Sequence, residues 1–287
     1  MSKNLAARPS PIAGQWYPAD STRLAREVDQ YIEKAQLPVL SGKIIAVMAP
    51  HAGHRYSGPV AGHAFSALRG LKPDIIAVVS PMHYPYPDPL ITTAHTAYGT
   101  PLGEIPVDQE ALTELSEEII KKLGISLTPV ANDPEHSLEI ELPFVQRVMK
   151  TPFKLLPVMV RDQSSRVAQA LGSALATVLA NRNGLLVAST DLSHFYPQHV
   201  ANKLDGEVLR QVSAFNPAGL LELEKQGKGF ACGSGALASV MWAAQALGAN
   251  HATILNYATS GDITGDYTQV VGYGAAVFYQ QLEIPAS

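Results

Sequence analysis

Short, nearly all-apolar blocks recur along the chain at residues 43–48, 74–79, 154–159, 184–189 and 252–257, and a longer one closes it at 269–279. None alternates cleanly between polar and apolar positions, which is the pattern of strands covered on both faces. Between the blocks the spacing changes to the helical period. Leu24, Val28, Tyr31 and Ile32 predict a helix over 21–35, with Asp20 or Ser21 as its cap. Leu112, Leu115, Ile119 and Leu123 predict another, starting near Asp108 and stopped by Gly124. Asn216 followed by Pro217 opens a third, and residues 164–179 and 234–247 supply two more. Strands alternating with helices predict an α/β fold, a mostly parallel or mixed sheet with helices on both faces. With no repeat, low-complexity tract or linker, a single domain is expected over residues 1–287.

Composition narrows the functional classes. Hydrophobic residues make up 46% of the 287 positions and charged residues 16%, ample for a large core. The net charge of −4 and the lack of any basic run disfavour nucleic acid as a partner. Cys232 is the lone cysteine, so no intramolecular disulfide can form, which suits a reducing cytosol. The first residues lack the apolar core of a signal peptide, and no apolar run has the length of a bilayer span. A cytoplasmic protein without a membrane contact is the expectation.

The candidate chemistry gathers where strands end. IIAVMAP leads into His51, IIAVVSPM into His83, and LLVAST into Asp191 and His194. In open α/β sheets, functional groups collect beyond the carboxyl ends of strands. The segment GKGFACGSG sets Cys232 in a glycine-rich loop ahead of a helix, whose N-terminus is expected to favour a thiolate. Imidazole, thiolate and carboxylate are the common protein ligands of first-row metals. His51 and His83 are therefore candidate metal ligands, with Asp191 or Cys232 as the anionic one, and the sequence leaves that choice open. A carboxylate would suit iron(II), whereas a thiolate would shift preference toward copper(I) or zinc. Taken singly, each histidine is better explained as a cap or a loop contact, and the cysteine as a core residue. The matching strand ends are what argue for a site.

His194, three residues past Asp191, is a candidate acid–base group, ligand or outer partner, and Asp191 could itself take part in catalysis. In EHSLEIELPF, a helix would put His136 and Glu139 on one face, with Leu138, Leu142 and Val145 buried. His136 is then either a proton shuttle or substrate contact in the cleft, or part of an ordinary helix start. His54 and Arg55 are expected at the cleft mouth. His63, His95, His199 and His251 have no such setting. No glycine fingerprint, Walker sequence or nucleophile elbow is present.

Taken together, AGQWYP, APHAGHRYSG, TPLGEIPVD, EHSLEIELPF, STDLSHF, CGSG and NYATSGD, in this order, resemble the Memo family. Its bacterial and archaeal members are also called AmmeMemoRadiSam system protein B. The resemblance runs from Gly14 to about Gly272. It implies a fold similar to the class III extradiol dioxygenases, metal-site residues at His51, His83 and Cys232, and Asp191 and His194 at the same cleft. It also implies iron or copper, redox activity, and functional neighbours of the AMMECR-like and radical-SAM types. The animal member's described role as a phosphopeptide-binding adaptor implies an alternative, non-catalytic use of the cleft. One departure stands out: where the family reads close to GPSHH, this chain reads SPMHYPYP, keeping His83 but placing Tyr84 at the second histidine. The leading expectation is a metal-dependent oxidoreductase for a small-molecule substrate, with iron(II) first and copper or zinc as substitutes. A peptide-binding module is the second, and metal-free cysteine hydrolysis a weaker third.

Overall fold

Every apolar block becomes a strand in the computed structural model, which describes residues 6–281. In chain order the strands are β1 (Gly42–Ala49), β2 (Ile75–Pro81), β3 (Leu90–Thr93), β4 (Ala97–Thr100), β5 (Gly103–Pro106), β6 (Thr128–Val130), β7 (Lys154–Val160), β8 (Gly184–Ser189), β9 (His194–Tyr196), β10 (His251–Thr259) and β11 (Val270–Gln281). The helices are α1 (Ser21–Lys34), α2 (His54–Ser66), α3 (Gln109–Leu123), α4 (Leu142–Val148), α5 (Ser165–Leu179), α6 (Gln198–Ser213), α7 (Pro217–Lys225), α8 (Ser234–Ala246) and α9 (Gly261–Thr264).

The main sheet runs β10-β11-β1-β8-β2-β7-β3-β6, with β9 added on β11, while β4 and β5 form a separate hairpin. Its centre, β1-β8-β2-β7, is parallel. Its flanks are antiparallel where β11 meets β1, β10 meets β11, and β3 meets β7. The sheet is therefore mixed, with a parallel centre. Helix α2 covers β1, β10 and β11, with α1 and α4 packed on it. Helix α8 covers the central strands on the other face, with α5 and α7 laid against it. Strands β2 and β8 are buried along almost their whole length, which explains their unbroken apolar runs.

The helix ends follow local chemistry. Asp20, Asp108, Ser164 and Asn216 each accept a backbone N–H of the first turn, and Gly124 closes α3 in the left-handed region at φ 73°. Helix α2 escaped the sequence reading because Gly58, Pro59 and Gly62 interrupt it and most of its residues are buried, leaving no polar face. The short β3 to β6 and α6 were also not foreseen.

The expected helix face shared by His136 and Glu139 does not form. Residues 133–138 precede a 3-10 turn (Glu139–Glu141), and α4 begins only at Leu142. Pro143 sits in the first turn of α4, the helical position where its missing N–H and fixed φ are tolerated. Among the described residues no helix is long and apolar enough to cross a membrane.

Candidate metal centre

Parallel pairing brings the strand ends together. Ala49 of β1 pairs with Ser189 of β8, so His51 and Asp191 emerge side by side, and the His51 backbone N–H donates to Asp191 Oδ1 at 2.8 Å. On the other side of β8, β2 delivers His83. The loop before α8 closes over the same edge. At Gly233 an added Cβ would stand 2.6 Å from the Ser189 carbonyl oxygen, so only glycine allows this approach. The approach lets Cys232 N–H donate to the Asp191 carbonyl at 3.2 Å.

Three imidazoles converge there. His51, His83 and His136 each place a ring nitrogen within 4.8 Å of the others, a group that could hold a metal ion. Their ring centroids are 5.3 Å (His51–His83), 5.5 Å (His51–His136) and 4.9 Å (His83–His136) apart, the last pair stacked. Trp16 covers the outer face of His136 at 4.1 Å.

Glu135 organises two of the three. Its Oε1 accepts from His83 Nδ1 at 2.9 Å and from the His136 and Ser137 backbone N–H groups, also at 2.9 Å. Its Oε2 accepts from the His83 backbone N–H at 2.6 Å. Burial alone would raise this acid, but the hydrogen bond and charge of His83, with His136 beside it, hold it down at about 2. With Nδ1 held by a carboxylate, His83 keeps Nε2 for the cleft, a common arrangement behind metal-binding histidines. Glu135 is itself fixed by Arg8, fully buried, which donates to the Glu135 carbonyl, to both Asp133 carboxylate oxygens and to Glu139.

His51 is buried, with Nδ1 2.9 Å from Ser189 Oγ and Nε2 3.1 Å from Cys232 Sγ. Burial, then the neighbouring imidazoles, push its pKa well down. Burial likewise lowers His136 to about 4 and, by a smaller step, His194. All three are thus neutral near neutral pH, the form that offers a lone pair to a cation. Asp191 is raised to about 7 by burial, against hydrogen bonds from the His51 and Ala52 backbone. Its Oδ2 lies 4.0 Å from His51 Nε2.

The setting of Cys232 bears on the expectation of a thiolate there. Without a metal beside it, burial, followed by the charge of Asp191, pushes the thiol well above its usual range. Its sulfur still accepts the Asp191 backbone N–H at 3.3 Å. His54 is not at the cleft mouth. It is buried, with Nε2 3.1 Å from the Ile140 carbonyl. Arg55 lines a separate cavity of about 200 Å³ with Trp16, Tyr17, Arg23 and Glu27. His194 stands on β9 between Phe195 and Phe230, and its buried Nε2 has no partner among the described residues.

The structure therefore brings His51, His83, Asp191 and Cys232 to one place and adds His136 to the nitrogen donors. Glu135, Ser189, Glu141 and Trp16 were not singled out from sequence. All four lie inside quoted motifs, Glu135 and Glu141 in EHSLEIELPF, Ser189 in STDLSHF and Trp16 in AGQWYP, the only signal that could have marked them.

Comparison with known proteins gives the family. A Memo-like protein family model matches residues 8–277. A MEMO1 family protein of Methanopyrus kandleri is 36% identical over 284 residues, covering 94% of this chain and 98% of its own length. Similar proteins from Nitrosopumilus maritimus (33% identity; 93% of this chain and 98% of its own) and Pyrobaculum aerophilum (32%; 96% and 100%) carry the same family name. On the extent of that match, the chain belongs to the Memo family.

Proposed function

We propose that this protein is a metal-dependent oxidoreductase of extradiol-dioxygenase type, acting on a small molecule in a reducing, cytoplasmic setting. One observation carries the reading: three imidazoles meet at the open end of the parallel strands, within reach of a single ion. Iron(II) is the proposed ion, held by His51, His83 and His136, with copper or zinc able to compete, the more so where Cys232 Sγ joins the set. When bound, the metal supplies an electron donor and a fixed anchoring point for substrate.

The chain's own residues do the rest. Glu135 sets the ring orientation of His83 and the backbone at His136. His194 offers an unpartnered Nε2 to take a proton from a bound hydroxyl group. Asp191, poised at about 7, can hold or give up a proton beside His51. Tyr84 is half-exposed directly after His83 and would shape substrate entry. Iron-loaded protein prepared without oxygen should consume dioxygen with at least one member of a catechol-like panel, and His194→Ala should slow that turnover with metal content unchanged. Loss of the metal from His194→Ala would make that residue a ligand instead.

A second reading, a peptide-binding module, draws on the cavity that sets Arg23 and Arg55 beside Trp16, the residue covering His136. Peptide binding that needs Arg55 but is indifferent to metal, with no oxygen uptake on any substrate, would favour it.

A further inference from the structure

Behind His51 lies a buried hydroxyl with three polar neighbours. Ser189 Oγ is 2.9 Å from His51 Nδ1, 2.6 Å from the Ser137 carbonyl oxygen and 2.8 Å from Glu141 Oε1. Ser137, Ser189 and Glu141 are all fully buried. A hydroxyl has one proton to give and two lone pairs to offer, whereas a carbonyl can only accept. The Ser189 proton therefore goes to Ser137. Both lone pairs are left to accept, one from His51 Nδ1–H and the other from Glu141 Oε1, which must then carry a proton.

The opposite assignment fails on two counts. If Ser189 donated to an ionised Glu141, its lone pairs would face the Ser137 carbonyl oxygen at 2.6 Å. Glu141 would also be a buried anion with one hydrogen bond, since its Oε2 has no partner among the described residues. Arg8, the nearby buried cation, is already committed to Asp133 and Glu139. Burial and the charge of Asp191 act in the same direction, raising this acid far above its usual range.

We propose that Glu141 and Ser189 are a positioning pair in which Glu141 acts as hydrogen-bond donor, locking the Ser189 hydroxyl so that His51 keeps its proton on Nδ1 and aims the Nε2 lone pair into the metal cleft. Neither residue touches substrate or metal. The consequence for metal affinity rests on the function proposed above; the tautomer and the state of Glu141 do not.

The test uses the full chain without metal, near neutral pH. Infrared difference spectra of wild type against Glu141→Gln should show a protonated-carboxyl C=O band that the variant lacks. Nitrogen-15 NMR should find the His51 ring protonated at Nδ1 in wild type and in Glu141→Gln, whose amide N–H replaces the lost donor, and a tautomer mixture in Ser189→Ala. Zinc, as probe, should bind about tenfold to a hundredfold more weakly to Ser189→Ala and Glu141→Leu, with affinity restored in Glu141→Gln. Absence of the carboxyl band, or a wild-type His51 protonated at Nε2, overturns the proposal. If the band and the tautomer are as expected but wild type binds no zinc, the metal reading falls and the positioning pair stands.

Discussion

Glu135 shows how one side chain can set a site without being part of its chemistry. Buried and drawn down to about 2 by its two histidine neighbours, it accepts from His83 Nδ1 and from three backbone N–H groups. Glu135→Gln keeps the shape but removes the charge and half of the accepting capacity. It should weaken zinc affinity by about tenfold to a hundredfold, measured by competition against a chelating dye, with little change in secondary structure. At this scale the sequence was informative for residues that end strands: His51, His83 and Asp191 were marked because apolar runs lead straight into them. It was less informative for His136, whose place among the donors depends on an irregular segment where a helix was considered. Ser189 and Glu141 lie inside STDLSHF and EHSLEIELPF, but nothing in either motif links them, because their pairing joins segments 48 residues apart in the chain.

Elements that depend on local chemistry were legible, and those that depend on packing were not. The capped ends at Asp20, Asp108, Ser164 and Asn216 fall where side-chain acceptors predict them. Removing one, in Asn216→Ala, should cost about 1 kcal/mol of unfolding free energy in urea titration, as expected for a lost cap. By contrast, α2 and the short β3 to β6 owe their form to what surrounds them, and no periodicity announces them. The crossing of α5 and α8 belongs to that second kind. At Gly172 an added Cβ would lie 2.7 Å from the Ser239 carbonyl oxygen and 2.8 Å from Trp242 Cβ. Although alanine is the better helix former, Gly172→Ala should lower stability by about 1 to 3 kcal/mol, because the helices must part. A stabilised variant would mean that the crossing is looser than its geometry indicates.

For the molecule as a whole, burial of neutral histidines ties folding to pH. His54 packs between Tyr17 and Phe144, with Glu27 3.8 Å from its Nδ1, and burial lowers its pKa from 6.5 to about 4. The unfolded chain therefore takes up this proton first as pH falls. Its contribution is intact above about pH 6.5 and is lost as pH falls toward about 4. In His54→Gln, the drop in unfolding free energy between about pH 7 and about pH 4.5 should be smaller than in wild type by about 2 to 3 kcal/mol. An unchanged drop would show that His54 is as easily protonated in the folded protein as in the unfolded chain. The fold class and the covered, largely parallel centre of the sheet were readable at this scale, since apolar blocks alternating with helices admit few arrangements. The antiparallel flanks were not, because strand direction is set by connections and not by the runs themselves.

Everything proposed about function depends on whether the three imidazoles hold one ion. The direct measurement is metal content by elemental analysis after purification without oxygen, on wild type, His51→Ala and His136→Ala side by side. About one iron or copper per wild-type chain, lost from His51→Ala and sharply reduced in His136→Ala, is the predicted result. Wild type without metal, even after incubation with iron(II), or a His136→Ala variant that retains its full complement, would contradict the site as built here.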